Sequence, residues 1–322
     1  GVAPDDPLGG VASQQLVMTA EHAAINAVMA GCEPAYFPIV AAALGACLDP
    51  AFNLPVACTS TGGPTVCVVV SGPMAEAVGM HSAHNALGPR SRANATIGRA
   101  VRLAATNFLG SRTQGTDGSS LGHPGKYTFC FAEREPIGPW NPLRVDLGYD
   151  ADDTTVTVLA AEAPRQVANH LNADPEGIVA SLASALHTPY HFAAGKGGAQ
   201  FIVVVGPEHA EALIGGGWTR RQVADALVAR SRISPQDILD AGVLLELGSH
   251  HDMVAEADGL LTTVKSPDDL VVVTAGGHGG GWSAVIGAWA PAKHSQMVTR
   301  RVRPLGEALP PCGPDGCSVP WD

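Results

Sequence analysis

The sequence predicts an α/β protein, with mostly parallel sheets flanked by helices, on three observations. β-Branched runs end abruptly in glycine: TVCVVVSGP at 65–73, AQFIVVVGP at 199–207 and DLVVVTAGG at 269–277. Alanine-rich segments with helix-start residues lie between them. The order helix, strand, Gly-Pro, short helix occurs once in each half, so two similar lobes arising by internal duplication belong to the expectation.

Each element follows from local chemistry. Residues 1–12 are rich in Gly, Pro and Asp and read as a flexible arm. TAEHAAINAVMAGC (19–32) is a helix capped by Thr19 and stopped at Gly31. EPAYFPIVAAALGACL (33–48) is a second, mostly buried helix that begins after Pro34. The 65–73 run is a buried strand, and KYTFCFAE (126–133) and TTVTVLAAE (154–162) are two more. DPEGIVASLASALHTP (174–189) repeats the acid, proline and apolar helix of 33–48. WTRRQVADALVARS (218–231) carries a capping box in Thr219 and Gln222, and SPQDILDAG (234–242) has a serine cap with proline behind it. These place a first α/β lobe at 13–150, a second at 151–305 and a cysteine-containing tail at 306–322.

Composition narrows the function. The chain has 322 residues, with 19 Lys+Arg against 30 Asp+Glu, so its net charge is −11. That balance and the low aromatic content argue against a nucleic-acid partner, which needs clustered cations and stacking rings. No apolar run approaches the roughly 18 residues of a membrane span. The N-terminus lacks a basic-then-apolar leader, and the seven cysteines are scattered. The expectation is a cytoplasmic protein with reduced thiols, without a membrane partner. Modest charge and many apolar helices suit a homo-oligomer.

Against this acidic background, HNALGPRSRANATIGRAVRL (84–103) gathers Arg90, Arg92, Arg99 and Arg102 among amides and hydroxyls. Read as a helix entered at Asn94, it offers free N–H groups beside Arg92, an anion site by two effects. Arg92, Asn94 and Thr96 are the candidate binders of a small anionic, carboxylated substrate. GHPGKYTFCFAEREP (122–136) is the densest reactive segment. On a strand, Glu133 would end beside Phe129 and Phe131, where desolvation raises a carboxyl and suits acid–base work. His170, in RQVANHLN, is the candidate proton partner, with Lys126 as electrostatic stabiliser and Cys130 in the same site.

Three further patterns carry chemistry. HSAH (81–84) and SHHD (249–252) give closely spaced histidines; His81, His84 and His123 are the candidate ligands of a divalent transition metal. TAGGHGGGWS (274–283) is a strand running into a glycine nest, where Gly276 and Gly277 would cradle an anion. Neither it nor GKGG (195–198) completes a nucleotide motif, and no Gly-x-Ser-x-Gly elbow is present, so no nucleotide or flavin is expected. Cys312 and Cys317 form a C-x4-C pair on the tail that could shuttle reducing equivalents or clip a metal.

NALGPRSRANATIGRAVRL, GHPGKYTFCFAEREP and SPDDLVVVTAGG together resemble an uncharacterised bacterial α/β family, members of which are sometimes found beside short selenoproteins or their cysteine versions. The resemblance covers most of the chain and implies an enzyme-like protein. It carries over no substrate and no catalytic residue, and HSAH and the C-x4-C tail belong at most to a subset of the family. The residues themselves favour a lyase or hydrolase acting on a carboxylated substrate, with or without a histidine-bound metal. A thiol-dependent reductase using the tail cysteines, and a metal- or ligand-binding protein without turnover, are the alternatives.

Overall fold

The computed structural model describes residues 3–111, 115–135, 138–171, 173–186, 198–240 and 258–303. The chain divides into two compact units. Unit 1 contains 1–133, 142–161 and 295–322; unit 2 contains 134–141 and 162–294. The division does not fall at residue 150, because the chain passes between the units more than once.

Unit 1 opens with a hairpin of β1 (Pro7–Val11) and β2 (Leu16–Thr19), which corrects the expected flexible arm at 1–12: Leu8 and Val11 are buried in the core. Helix α1 (Ala20–Ala30) begins where Thr19 Oγ1 accepts the His22 N–H, while His22 Nδ1 accepts the Thr19 N–H, a capping box with histidine in the usual Glu/Gln place. It stops at Gly31, whose φ of 91° is left-handed. After a 3-10 turn at Pro34–Tyr36 come α2 (Phe37–Cys47) and α3 (Leu54–Thr59), then strand β3 (Thr65–Ser71). Short α4 (Pro73–Ala77) and long α5 (Arg92–Leu109) follow, then β4 (Cys130–Ala132), α6 (Leu143–Asp146) and β5 (Thr155–Ala161). Val66, Val68 and Val70 of β3, with Val156 and Val158 of β5, share one core with Ile39, Val40 and Leu44 of α2 and Ile97 and Val101 of α5.

Unit 2 adds β6 (Arg165–Ala168), α7 (Pro175–Ser184), β7 (Phe201–Val205), α8 (Pro207–Gly215) and α9 (Arg220–Arg230). The Thr219–Gln222 capping box is present at α9. Then come β8 (Arg232–Ile233), α10 (Pro235–Asp240), β9 (Leu261–Thr262), β10 (Leu270–Thr274) and β11 (Trp282–Gly287). Its core joins Phe201, Val203 and Val205 to Ile178 and Leu182 of α7 and Val223 and Leu227 of α9. The last strand, β12 (Val298–Arg301), belongs to unit 1.

The sheets are mixed, which corrects the expectation of mostly parallel ones. In unit 1 the order is β12-β5-β3-β4, and only the β3–β4 pair is parallel. In unit 2 the order is β10-β7-β11-β6, and only β7–β10 is parallel. The parallel expectation came from strands alternating with helices. It could not register that β5 and β11 run antiparallel to the central strands, because a short apolar run carries no mark of its direction.

Taken from opposite edges, the two sheets have the same strand arrangement. A central strand has a parallel neighbour later in the chain and an antiparallel neighbour after that, and the latter carries a fourth, antiparallel strand. The register agrees as well: Val158 of β5 pairs with both Val68 and Val298, as Val285 of β11 pairs with both Val203 and Arg165. The Gly-Pro after each central strand has one physical cause in both units. A Cβ on Gly72 would lie 2.4 Å from the Asp153 carbonyl oxygen, and one on Gly206 would lie 1.9 Å from that of Trp282. Among the described residues, no helix is long and apolar enough to cross a membrane.

Candidate active site

The arginine-rich stretch is a structural joint. Helix α5 starts two residues earlier than expected, at Arg92, and its cap is Ser91, whose Oγ accepts the Asn94 N–H and donates to the Gly79 carbonyl at 2.8 Å. Arg92 donates from Nε and Nη2 to the Gly31 carbonyl at the end of α1, and from Nη1 to Glu33 at 2.8 Å. Buried Asn94 accepts the His81 N–H and donates to the His81 carbonyl, both at 2.9 Å. Thr96 donates back to the Arg92 carbonyl within its own helix. All three expected anion binders therefore hold backbone.

The expected metal ligands are not gathered. His81 Nε2 reaches the backbone carbonyl of His84 at 2.7 Å, closing their loop. His123 accepts the Gly125 N–H at Nδ1, so its Nε2–H donates to the Ala161 carbonyl at 3.2 Å. Burial, together with nearby Lys126 and against that carbonyl, holds this imidazole below its ordinary pKa. Among the described residues, no group of three or more His, Cys, Asp or Glu is placed to hold a metal ion. His250 and His251 of SHHD lie outside those residues.

The expected acid–base pair is divided between the units. Glu133, in unit 1, is buried, and its carboxylate takes the Ser71 hydroxyl at 2.5 Å and the Leu143 N–H at 2.9 and 3.0 Å. Ser71 Oγ in turn accepts the Arg144 N–H, so this carboxylate fixes the start of α6. His170, in unit 2, stands exposed with its ring edge-on to Trp282, centroids 4.9 Å apart. Cys130 is buried, and desolvation pushes its thiol far above the ordinary value, the reverse of an activated nucleophile. Cys312 and Cys317 lie outside the described residues, as does Lys196 of GKGG.

In unit 2 the glycine nest is real but filled by the chain itself. Glu208 Oε1 accepts the Gly279 and Gly280 N–H groups at 2.7 and 2.8 Å, and His278 Nε2 meets Glu211 at 2.7 Å. Burial would raise the Glu208 carboxyl, but backbone N–H donors, those of Gly279 and Gly280 among them, outweigh it and lower its pKa. Gly276 offers its carbonyl to Arg134 Nη1 at 2.9 Å, and neither Gly276 nor Gly277 supplies the nest amides. Below the loop, Ser283 accepts the Gly206 N–H and bonds His209 Nδ1 at 2.7 Å, while His209 Nε2 reaches the Asn169 carbonyl. Both side chains are buried and serve as a staple between strand ends.

What remains with reactive geometry is a cluster in unit 1 around Lys126. The expected strand at 126–133 is shorter, because Pro124–Lys126 form a 3-10 turn capped by the His123 ring, and β4 starts only at Cys130. The turn swings Lys126 back toward the loop TDGSS. Its Nζ donates to Asp117 Oδ1 and Oδ2 at 3.0 and 2.9 Å and to Ser119 Oγ at 2.6 Å. Ser119 Oγ lies 2.5 Å from Asp117 Oδ1 and 3.1 Å from the Ser60 carbonyl. Arg102, from the middle of α5, binds Asp117 Oδ2 at 2.9 Å and points Nη1 at the Cys58 thiol. Burial alone would raise the Asp117 carboxyl, but the Ser119 hydroxyl and N–H and the Lys126 ammonium hold it at about 2. Asp117 is only 7% exposed and Lys126 19%, so the cluster is shielded but reachable. Two cations face one carboxylate, which leaves one positive charge in excess.

Lys126 was legible as a candidate; Asp117, Ser119 and Arg102 were not. The available signal was Asp-Gly-Ser on a loop nine residues before a lone lysine, which only the fold turns into a contact. Unit 2 repeats the frame without the chemistry. Asp258 accepts the Leu260 N–H as Asp117 accepts that of Ser119, and pairs with Arg232 as Asp117 does with Arg102. Ser266 caps a Pro267–Asp269 turn as His123 caps Pro124–Lys126. Leu260 and Asp269 stand where unit 1 has Ser119 and Lys126.

A separate groove of about 520 Å³, between the β1–β2 hairpin and the α2–α3 junction, is lined chiefly by Val11, Leu16, Leu48, Leu54 and Pro55 and holds none of these residues. No protein-family model matches the chain, and no curated protein matches its sequence.

Proposed function

We propose that the protein is a hydrolase of small, carboxylated esters, lactones or amides, with Ser119 as nucleophile. The observation that carries this is the 2.6 Å approach of Lys126 Nζ to Ser119 Oγ within a cluster of net positive charge. A cation at that distance stabilises the alkoxide that develops as Ser119 attacks. Ser119 Oγ bonds to the substrate carbonyl carbon, and its proton passes to Asp117 Oδ1. As the C–O or C–N bond breaks, Asp117, a strong acid once protonated, returns that proton to the leaving group. Water then cleaves the acyl-serine by the same route, regenerating the hydroxyl. The excess charge shared by Arg102 and Lys126 favours a substrate that carries its own carboxylate.

This reading moves the proton transfer from Glu133 and His170 to Asp117, because the Glu133 carboxylate is held by Ser71 and the Leu143 N–H. It favours hydrolase over lyase, since it supplies a nucleophile in place of a free base. We also infer that the two units descend from one duplicated half, with the reactive pair kept only in the first. The test is labelling by a fluorophosphonate, followed by peptide mapping. One adduct per chain at Ser119, lost in Ser119→Ala, is the expected result. An unlabelled Ser119, together with full turnover of a hydrolysed substrate by Ser119→Ala, would overturn the reading.

A further inference from the structure

The sheets close by exchange. By sequence, β6 follows directly on β5 and closes the first repeat, the half of the chain that runs to about Leu171, yet it pairs with β11 in unit 2. By sequence, β12 follows on β11 in the second half, yet it pairs with β5 in unit 1. Each half thus makes three strands of its own sheet and donates its fourth to the other. The donated strands occupy the same register on their hosts, four residues deep on Val158 or Val285 and the positions beside it.

The donated strands are also anchored as structural members. Thr299 Oγ1 meets Thr157 Oγ1 at 2.8 Å, and Arg300, buried, pairs with Asp49 at 3.0 Å. Immediately before β12, Ser295 Oγ donates to the Phe52 carbonyl and Gln296 N–H to that of Ala51. At the other site, Val167 of β6 is buried in the unit 2 core. Without its donated strand, β5 or β11 would present an open row of backbone donors and acceptors, the condition under which strands recruit another chain.

We infer that the molecule is a covalently fused, reciprocally strand-exchanged pair. The outer edges of β5 and β11 are binding surfaces whose partner is the fourth strand of the opposite half, as it would be in a dimer of two identical half-chains. The covalent link between β6 and α7 is then dispensable to the folded molecule.

The experiment keeps the whole chain. A protease site is inserted after Leu171, which is fully exposed, and the folded protein is cut there. Thr157→Cys/Thr299→Cys, at directly paired positions, is introduced into the same protein. The expected result is that the cut protein elutes at the mass of the uncut one. On a denaturing gel the two pieces should remain joined until reductant is added. A second pair, Gln166→Cys/Ala284→Cys across β6 and β11, tests the reciprocal exchange and stands in if the first pair prevents folding. Pieces that separate under native conditions, or cysteine pairs that leave them unlinked, would overturn the inference.

Discussion

Asn94 is buried, and both ends of its amide are bonded to the backbone of His81. Asn94→Ala takes that partner from the half-buried His81 N–H and carbonyl, and should cost about 1–3 kcal/mol in denaturant unfolding. In the Lys126 cluster, Lys126→Met should lower turnover by about 100-fold or more while the far-ultraviolet spectrum is kept. Asp117 also gives a pH signature. Its folded pKa of about 2 lies below the ordinary 3.8, so its contribution to stability is complete above pH 3.8 and is lost as pH falls toward 2. Acid titration should show a smaller loss of stability toward pH 2 in Asp117→Asn than in wild type, the lowered Glu208 carboxyl contributing to both. The residue scale is also where sequence reading failed. Arg92 looks like an anion binder because a cation is visible in sequence, whereas the Gly31 carbonyl that it caps is 61 residues away. Glu133 was correctly placed at a strand's carboxyl end, but the Ser71 hydroxyl and the Leu143 N–H that hold it come from elsewhere in the chain.

Elements were more legible, because caps and stops are local. Thr19, Gly31, Thr219 and Gln222 act where their types predict. The 126–133 strand was over-long because Pro124 at the first position of a 3-10 turn competes with extension. At the next element, α5 packs so closely on the chain before β4 that a Cβ on Gly98 would lie 2.5 Å from Thr128 Oγ1 and 2.9 Å from the Phe129 nitrogen. Gly98→Ala should therefore destabilise by about 1–3 kcal/mol despite its gain in helix propensity, measurable as a lower Tm. For the loop after β10, Glu208→Gln removes the charge that the nest binds. Hydrogen exchange at Gly279 and Gly280 should accelerate in that variant, with protection elsewhere in unit 2 unchanged.

Across the whole molecule, helix–strand–Gly-Pro units in both halves were readable, and their shared strand order is now visible. Strand direction was not, since direction depends on which strands meet and short runs carry no mark of it. Nor could periodicity show that β6 and β12 change places, because each is a four-residue segment with little apolar character. The repeated frame further predicts that Leu260 and Asp269 are inert. Intact-mass analysis should find one fluorophosphonate adduct per chain, not two.

The exchange of β6 and β12 also governs how the protein emerges from the ribosome. β5 is complete at residue 161, but its outer partner is not made until residue 301. At ordinary translation speeds of about 5–20 residues per second, that edge waits roughly 7–28 s for its own strand. Throughout that interval the nascent chain displays an unfinished sheet. A premature stop anywhere before β12 would release a product with β5 uncovered, a substrate for chaperones and proteases.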